Sequence, residues 1–132
     1  MRQTTIGILG AGQLGRMLAL AGYPLGLRFR LLDPAADAPA GQLAEHQPAG
    51  YDDAATLEQF AAGLDVVTYE FENVPVAAAR ALAEHVPVFP PPAALEAAQD
   101  RLTEKNFFQN LGIATPPFAP VDSRADLDAA IA

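Results

Sequence analysis

The residues with the clearest chemical potential form the glycine-rich run Gly10–Gly15, Gly-Ala-Gly-Gln-Leu-Gly. The run follows a strand-like apolar segment, Thr5–Leu9, and opens a helical pattern, which is the context of a dinucleotide fingerprint. Glycines there allow a tight turn, and the helix N-terminus offers N–H groups to an anion. Asp33 ends the predicted second strand, where a ribose-binding acid would lie. Three interpretations stay open: dinucleotide binding, binding of another phosphate, and a purely structural turn.

A second polar run follows the predicted fourth strand. It is Tyr69–Pro75, Tyr-Glu-Phe-Glu-Asn-Val-Pro. Ligands of open parallel sheets bind outside the carboxyl ends of the strands. The carboxylates of Glu70 and Glu72 and the amide of Asn73 would suit the hydroxyls or amines of a sugar-like ligand. Alternatively, Asn73 starts the next helix as its cap, and an acid near a helix N-terminus is stabilising in any case.

A third run, Gln99–Lys105, lies on a predicted late helix. Arg101 and Lys105 are four residues apart and therefore share a helix face. The face is either solvated or binds phosphate. His46 and His85 have no partner at metal-ligand or catalytic-triad spacing, so the sequence predicts no metal ligand and no catalytic residue in this chain.

The elements that must position these residues alternate between short apolar runs and helical patterns, which indicates a parallel sheet covered by helices. The predicted strands are Thr5–Leu9, Arg28–Leu32, a short one around Gly50 and Tyr51, Asp65–Tyr69, and a fifth at Pro87–Phe89. The predicted helices are Gln13–Ala21, one capped by Asp52 or Asp53, one from Pro75 to about His85, one after Pro92 to about Leu111 with Gly112 following it, and one opened by Ser123.

Pro90–Pro92 cannot continue a hydrogen-bonded ladder and predicts a boundary. We therefore expect a first domain over 1–92 and the start of another over 93–132. The pattern at the end of the sequence is helical and apolar, which suggests a fragment.

Composition narrows the functional classes. The chain has 132 residues, a net charge of −8 and no cysteine. The absence of a basic stripe disfavours nucleic-acid and membrane-surface binding. Without cysteine, disulfides, thiolate metal sites and a cysteine nucleophile are excluded. No apolar run approaches the roughly 18 residues of a membrane span, and no signal-peptide pattern is found, so a cytoplasmic protein is expected.

Together the runs resemble a known family. Ile8–Ala19 and Asp65–Pro75 are similar to two signatures of the 5-(carboxyamino)imidazole ribonucleotide synthases, members of the ATP-grasp superfamily. Pro91-Pro92 followed by Ala98–Leu102 and Lys105 resembles a third, and Leu111–Pro116 resembles the turn after it. One departure is Ala11, where the family usually has a glycine. A methyl group there matters only if the backbone needs a positive φ.

The resemblance implies an α/β fold: a Rossmann-like (pre-ATP-grasp) parallel sheet flanked by helices, followed by the start of the ATP-grasp region. It implies a ligase that couples ATP, bicarbonate and 5-aminoimidazole ribonucleotide, giving the N-carboxylated nucleotide, ADP and phosphate. ATP and Mg²⁺ would be bound mainly by a domain beyond this chain, so the chain alone is expected to be inactive. The family is typically homodimeric.

The resemblance also implies site residues. Arg101 would bind ATP. The substrate-binding residues would be Gly10, Gly12, Gln13, Leu14, Gly15, Glu70 and Asn73. Three alternatives remain: a NAD-binding Rossmann domain of an oxidoreductase, supported by Asp33; another ATP-grasp ligase of purine synthesis, such as the formate-dependent glycinamide ribonucleotide transformylase; and a non-catalytic interaction module.

Overall fold

Four short strands form one parallel sheet in the computed structural model, which describes residues 3–131. The strands are β1 (Thr5–Leu9), β2 (Arg28–Asp33), β3 (Glu45–Pro48) and β4 (Val66–Tyr69), in the spatial order β3-β2-β1-β4. The helices are α1 (Gln13–Gly22), α2 (Ala54–Ala61), α3 (Val76–Ala83), α4 (Pro92–Gln99), α5 (Arg101–Asn110) and α6 (Arg124–Ala130). The predicted α/β architecture with a parallel sheet is confirmed.

The sheet buries an apolar cluster on each face, because successive side chains of a strand point to opposite sides. Leu9 of β1 belongs to the cluster that includes Phe60 of α2 and Leu82 of α3. Ile8, the preceding residue, belongs to the cluster that includes Ala19 of α1. The central strand β1 is thereby fixed from both sides, and its carboxyl end is held in place for the loop that follows.

Helix α1 approaches the sheet closely because its buried face consists of the small residues Gly15, Ala19 and Gly22. A Cβ atom at Gly22 would collide with the ring of Phe29 on β2. The larger apolar side chains of the helix, including Met17, point outward and are exposed.

Two predicted strands differ from the observed ones. The third strand is not at Gly50 and Tyr51 but at Glu45–Pro48. It is a polar edge strand with no apolar alternation, so its pattern gives no strand signal. The predicted fifth strand is reduced to an isolated bridge between Val67 and Val88. In that bridge the Val67 N–H donates to Pro87 O at 2.8 Å, and Val67 O accepts from the Phe89 N–H at 2.9 Å.

The long helix predicted up to Leu111 is two helices, α4 and α5. Asp100 separates them because its side chain accepts the Thr103 N–H at 2.8 Å and caps α5. The left-handed residue Gly112, with φ 73°, follows α5 as expected.

Two predicted caps are confirmed, and the alternative in which Asn73 caps α3 is not. The side chain of Asp53 accepts the Thr56 N–H at 2.9 Å and starts α2, and Ser123 caps α6 through the Asp126 N–H at 3.2 Å. Asn73 does not cap α3, because Pro75 holds the cap position without any side-chain hydrogen bond.

The chain divides into two compact units, the first ending at Glu96 and the second beginning at Ala97. Leu95 of α4 is buried in the core of the first unit. From Ala97 to Ile131 the second unit has no buried residue. The predicted domain boundary after residue 92 stays a prediction. None of the helices in the described range is long and apolar enough to cross a membrane.

Candidate functional site

The glycine loop and the end of β4 meet because β1 and β4 are neighbours in the sheet. Leu9 pairs with Tyr69, so the next residue of each strand leaves the same edge. The Glu70 N–H donates to Leu9 O at 3.2 Å and continues the ladder by one bond. This register places the Glu70 side chain over the loop that opens α1.

The Glu70 carboxylate is bound by the loop's own backbone. Oε1 accepts the Gly12 N–H at 2.9 Å, and Oε2 accepts the Gly15 N–H. Gly12 is the cap residue of α1 and provides no side chain of its own to satisfy these donors. Glu70, which lies 58 positions after Gly12 in the sequence, therefore provides the acceptor that a cap side chain at the start of α1 would otherwise provide.

The loop glycines make room for this carboxylate. A Cβ atom would lie 2.5 Å from Glu70 Cγ if built on Gly10, 2.8 Å from Oε1 on Gly12 and 2.9 Å from Oε2 on Gly15. Gly10 also has φ 102°, a conformation that favours glycine. The N–H groups of Gly12 and Gly15, which the sequence analysis considered as donors to an external anion, thus donate to Glu70 in this structure.

Asp33 holds the same loop from the side of β2. Its Oδ2 accepts the Ala11 N–H at 2.9 Å, and its Oδ1 accepts the Ala35 N–H at 2.8 Å. This arrangement disfavours the NAD alternative, in which Asp33 would instead accept from ribose hydroxyls. No non-glycine residue of the described chain has a positive φ, so the methyl group of Ala11 causes no strain.

Tyr51 is a member of the site that the sequence analysis missed. It follows β3 and is half-buried, and its hydroxyl donates to Leu32 O at 3.3 Å. Burial raises the pKa of the hydroxyl, and the charges of Asp33 and Glu70 raise it further. Tyr51 therefore stays protonated and can act only as a neutral hydrogen-bonding group. No sequence signal indicated this role, because β3, the strand that Tyr51 follows, is polar and has no apolar alternation.

The remaining predicted residues around the loop are exposed. Gln13 and Leu14 lie in the first turn of α1, and Asn73 lies in the turn between β4 and α3. The structure thus brings Gly10, Gly12 and Gly15 into contact with Glu70 and leaves the other three at the surface beside these elements.

The Gln99–Lys105 run belongs to the second unit. Arg101 is exposed at the start of α5, where its guanidinium pairs with Glu104. Arg101 and Lys105 both line a cavity of 370 Å³, and the Lys105 Nζ lies 5.3 Å from the ring centroid of Phe118. The two cations do share a face, as their spacing predicted.

The histidines and the carboxylates form no metal centre in the described residues. His46 Nε2 lies 3.3 Å from Asp33 O, and His85 is exposed. Within 3–131 no group of three or more His, Asp or Glu side chains could hold a metal ion.

Comparison with known proteins identifies the class of this domain. Residues 3–99 match the model of the ribonucleotide synthetase preATP-grasp domain, and the chain belongs to this family. Among full proteins, it is similar to the N5-carboxyaminoimidazole ribonucleotide synthase of Pseudomonas aeruginosa, with 55% identity over 96% of this chain and 35% of the relative.

Solved structures of synthases with the same name are similar to this chain as well. The N5-carboxyaminoimidazole ribonucleotide synthetase of Thermus thermophilus superposes with a TM-score of 0.89 and 63% identity, covering 94% of this chain and 34% of that one. The Aspergillus clavatus N5-carboxyaminoimidazole synthase, solved in complex with ADP and 5-aminoimidazole ribonucleotide, gives a TM-score of 0.80 and 29% identity over 97% of this chain and 35% of that one. The chain thus spans about a third of the length of the relatives it matches.

Proposed function

We propose that this chain is the amino-terminal part of an ATP-dependent N5-carboxyaminoimidazole ribonucleotide synthase. The observation that carries the proposal is the high identity to such synthases over 94–96% of the chain. In the proposed reaction, bicarbonate attacks the γ-phosphorus of ATP, giving carboxyphosphate and ADP. The amine of 5-aminoimidazole ribonucleotide then attacks the carboxyl carbon, the new N–C bond forms, phosphate leaves, and the amine loses a proton.

The glycine loop and the end of β4 are the proposed contact for the hydroxyl and amine groups of the aminoimidazole nucleotide. Two features support this role. The Glu70 carboxylate is half-buried at the carboxyl edge of the sheet, where ligands of such sheets bind. Gln13, Leu14 and Asn73, in the segments that follow β1 and β4, are exposed and accessible to a ligand. A carboxylate fixed by two backbone donors keeps further lone pairs for a hydroxyl or amine of the substrate.

Arg101 is the proposed ATP contact of this chain. Its guanidinium is exposed on α5, so its pairing with Glu104 can be exchanged for a phosphate at little cost. Mg²⁺, which would neutralise charge on the ATP phosphates, and most of the ATP contacts are assigned to the sequence that the longer relatives have in addition. We further propose that the synthase is a homodimer and that it is located in the cytoplasm.

Substrate omission in the full-length protein tests the activity. We expect ADP release to require both 5-aminoimidazole ribonucleotide and bicarbonate, with the carboxylated nucleotide formed in equal amount. The 132-residue chain alone serves as the control and should give no turnover. ADP release that is equal with and without the nucleotide would refute the proposal.

A further inference from the structure

We propose that Glu70 is the resident anion of the glycine loop, and that it excludes phosphates and dinucleotides from the N-terminus of α1. The inference concerns this chain's own residues and does not depend on the proposed ligase activity. It assigns Glu70 a positioning and specificity-determining role, in addition to any contact with substrate.

The geometry shows that the Glu70 carboxylate occupies the position where an anion would bind at the N-terminus of α1. A phosphate bound in the manner of a dinucleotide site would need the N–H groups that open α1. Glu70 already accepts from Gly12 at 2.9 Å and from Gly15. The missing Cβ atoms of Gly10, Gly12 and Gly15 give space to the Glu70 side chain itself, as the clash distances of 2.5, 2.8 and 2.9 Å show. The fingerprint glycines therefore accommodate a carboxylate of the protein.

The charge around the loop reinforces the exclusion. Asp33 places a second carboxylate on the Ala11 N–H, at 2.9 Å. The loop's neighbouring cation, Arg16, is directed away, because its Nη1 donates to Pro39 O at 3.1 Å and to Gln42 at 3.3 Å. An incoming phosphate would meet two negative charges in a half-buried site, where Coulomb repulsion is stronger than in water.

Removal of the carboxylate should convert the loop into an anion site. The 132-residue chain is compared as wild type, Glu70→Ala and Glu70→Gln, with inorganic phosphate and NADH titrated separately and the backbone amide signals of Gly12 and Gly15 followed by NMR. Glu58→Gln, an exposed glutamate on α2, is the matched control for the loss of one negative charge. Glu70→Gln keeps the size of the side chain, but its amide NH₂ cannot accept from a second N–H.

In the wild type and in Glu58→Gln we expect no saturable shift at these two amides. In Glu70→Ala, and to a smaller degree in Glu70→Gln, phosphate should bind at the loop at least about tenfold more tightly than in the wild type. If Glu70→Ala does not fold, Glu70→Gln decides the result. Saturable shifts of Gly12 and Gly15 in the wild type, or no gain of binding in a folded Glu70 variant, would overturn the inference.

Discussion

At the scale of single residues, the polar groups of the loop region are already hydrogen-bonded to one another in the protein without a ligand. Glu70 and Asp33 each accept backbone N–H groups of the loop, from Gly12 and from Ala11. Hydrogen bonds to a carboxylate are stronger than those between neutral groups. These bonds therefore hold the loop in one conformation without any ligand. A preorganised loop loses little conformational freedom on binding, which favours recognition of a specific ligand.

The sequence predicted that these residues lie at one edge but not how they interact. The spacing of Gly10, Gly12 and Gly15 located the loop, and the end of β4 located Glu70. Which N–H groups the carboxylate accepts depends on the register of β1 against β4, which a single sequence does not specify. Tyr51 was missed for the same reason, since its role depends on contacts with β2.

Arg101 provides the test at this scale. A guanidinium that makes charge-assisted hydrogen bonds to ATP contributes a few kcal/mol of binding. We expect Arg101→Ala in the full-length protein to raise the KM for ATP about tenfold or more. Steady-state kinetics at saturating bicarbonate and nucleotide measure this value.

Arg124→Ala is the matched control for Arg101→Ala. Arg124 lies on α6, is exposed and is also paired with an acid, Asp128. Its loss should leave the KM for ATP unchanged. Identical ATP kinetics of Arg101→Ala and wild type would place Arg101 on a solvated helix face.

At the scale of elements, prediction succeeded where the pattern was local. The second helix was predicted with a cap at Asp52 or Asp53, and α2 starts after Asp53 and buries Leu57 and Phe60. β3 was misplaced because Glu45–Pro48 is polar and is a strand only through pairing with β2. The break at Asp100 was overlooked although Asp100 and Thr103 repeat the spacing of Asp53 and Thr56.

The cap of α2 should produce a pH-dependent stability. Hydrogen bonds from the side chain and the backbone N–H of Thr56 lower the pKa of Asp53 below its ordinary value of 3.8. A lowered folded-state pKa means that the carboxylate stabilises the fold above about pH 4, and that this stabilisation disappears as the pH falls through the folded value. Asp53→Ala should therefore lower Tm near neutral pH, and its difference from wild type should shrink below about pH 4.

Asp52→Ala controls for the removal of a neighbouring exposed carboxylate that caps no helix. Thermal unfolding followed by circular dichroism across this pH range measures all three proteins. A Tm difference for Asp53→Ala that stays constant into strong acid, or one matched by Asp52→Ala, would contradict the role of the ionised cap.

At the scale of the whole molecule, stability is concentrated in the first unit. Every residue of the two apolar clusters lies between Ile8 and Leu95, whereas Ala97–Ile131 contains no buried residue. Burial of apolar surface is the dominant favourable term in folding. The first unit therefore has an apolar core formed entirely by its own residues.

Truncation after Gln99 tests this distribution. The shortened chain keeps all of α4, including buried Leu95, and ends where the family match ends. Its Tm by calorimetry should lie within about 4 °C of that of the 132-residue chain, a shift that corresponds to less than roughly 1 kcal/mol. A much larger loss of Tm would mean that residues after 99 stabilise the first unit.

Phe60→Ala, at a fully buried site of the first unit, should by contrast lower the free energy of unfolding by about 3–5 kcal/mol.

The bridge between Val67 and Val88 has a consequence for self-association. Unpaired groups on an edge strand are a template for the addition of a strand from another chain. In β4, the N–H and the carbonyl of Val67 are both already paired, with Pro87 and Phe89. At the opposite edge, β3 is only four residues long and ends in Pro48, which has no N–H to donate. A strand added alongside β4 would have to displace the bridge at Val67, and a strand added alongside β3 would meet the proline at its end.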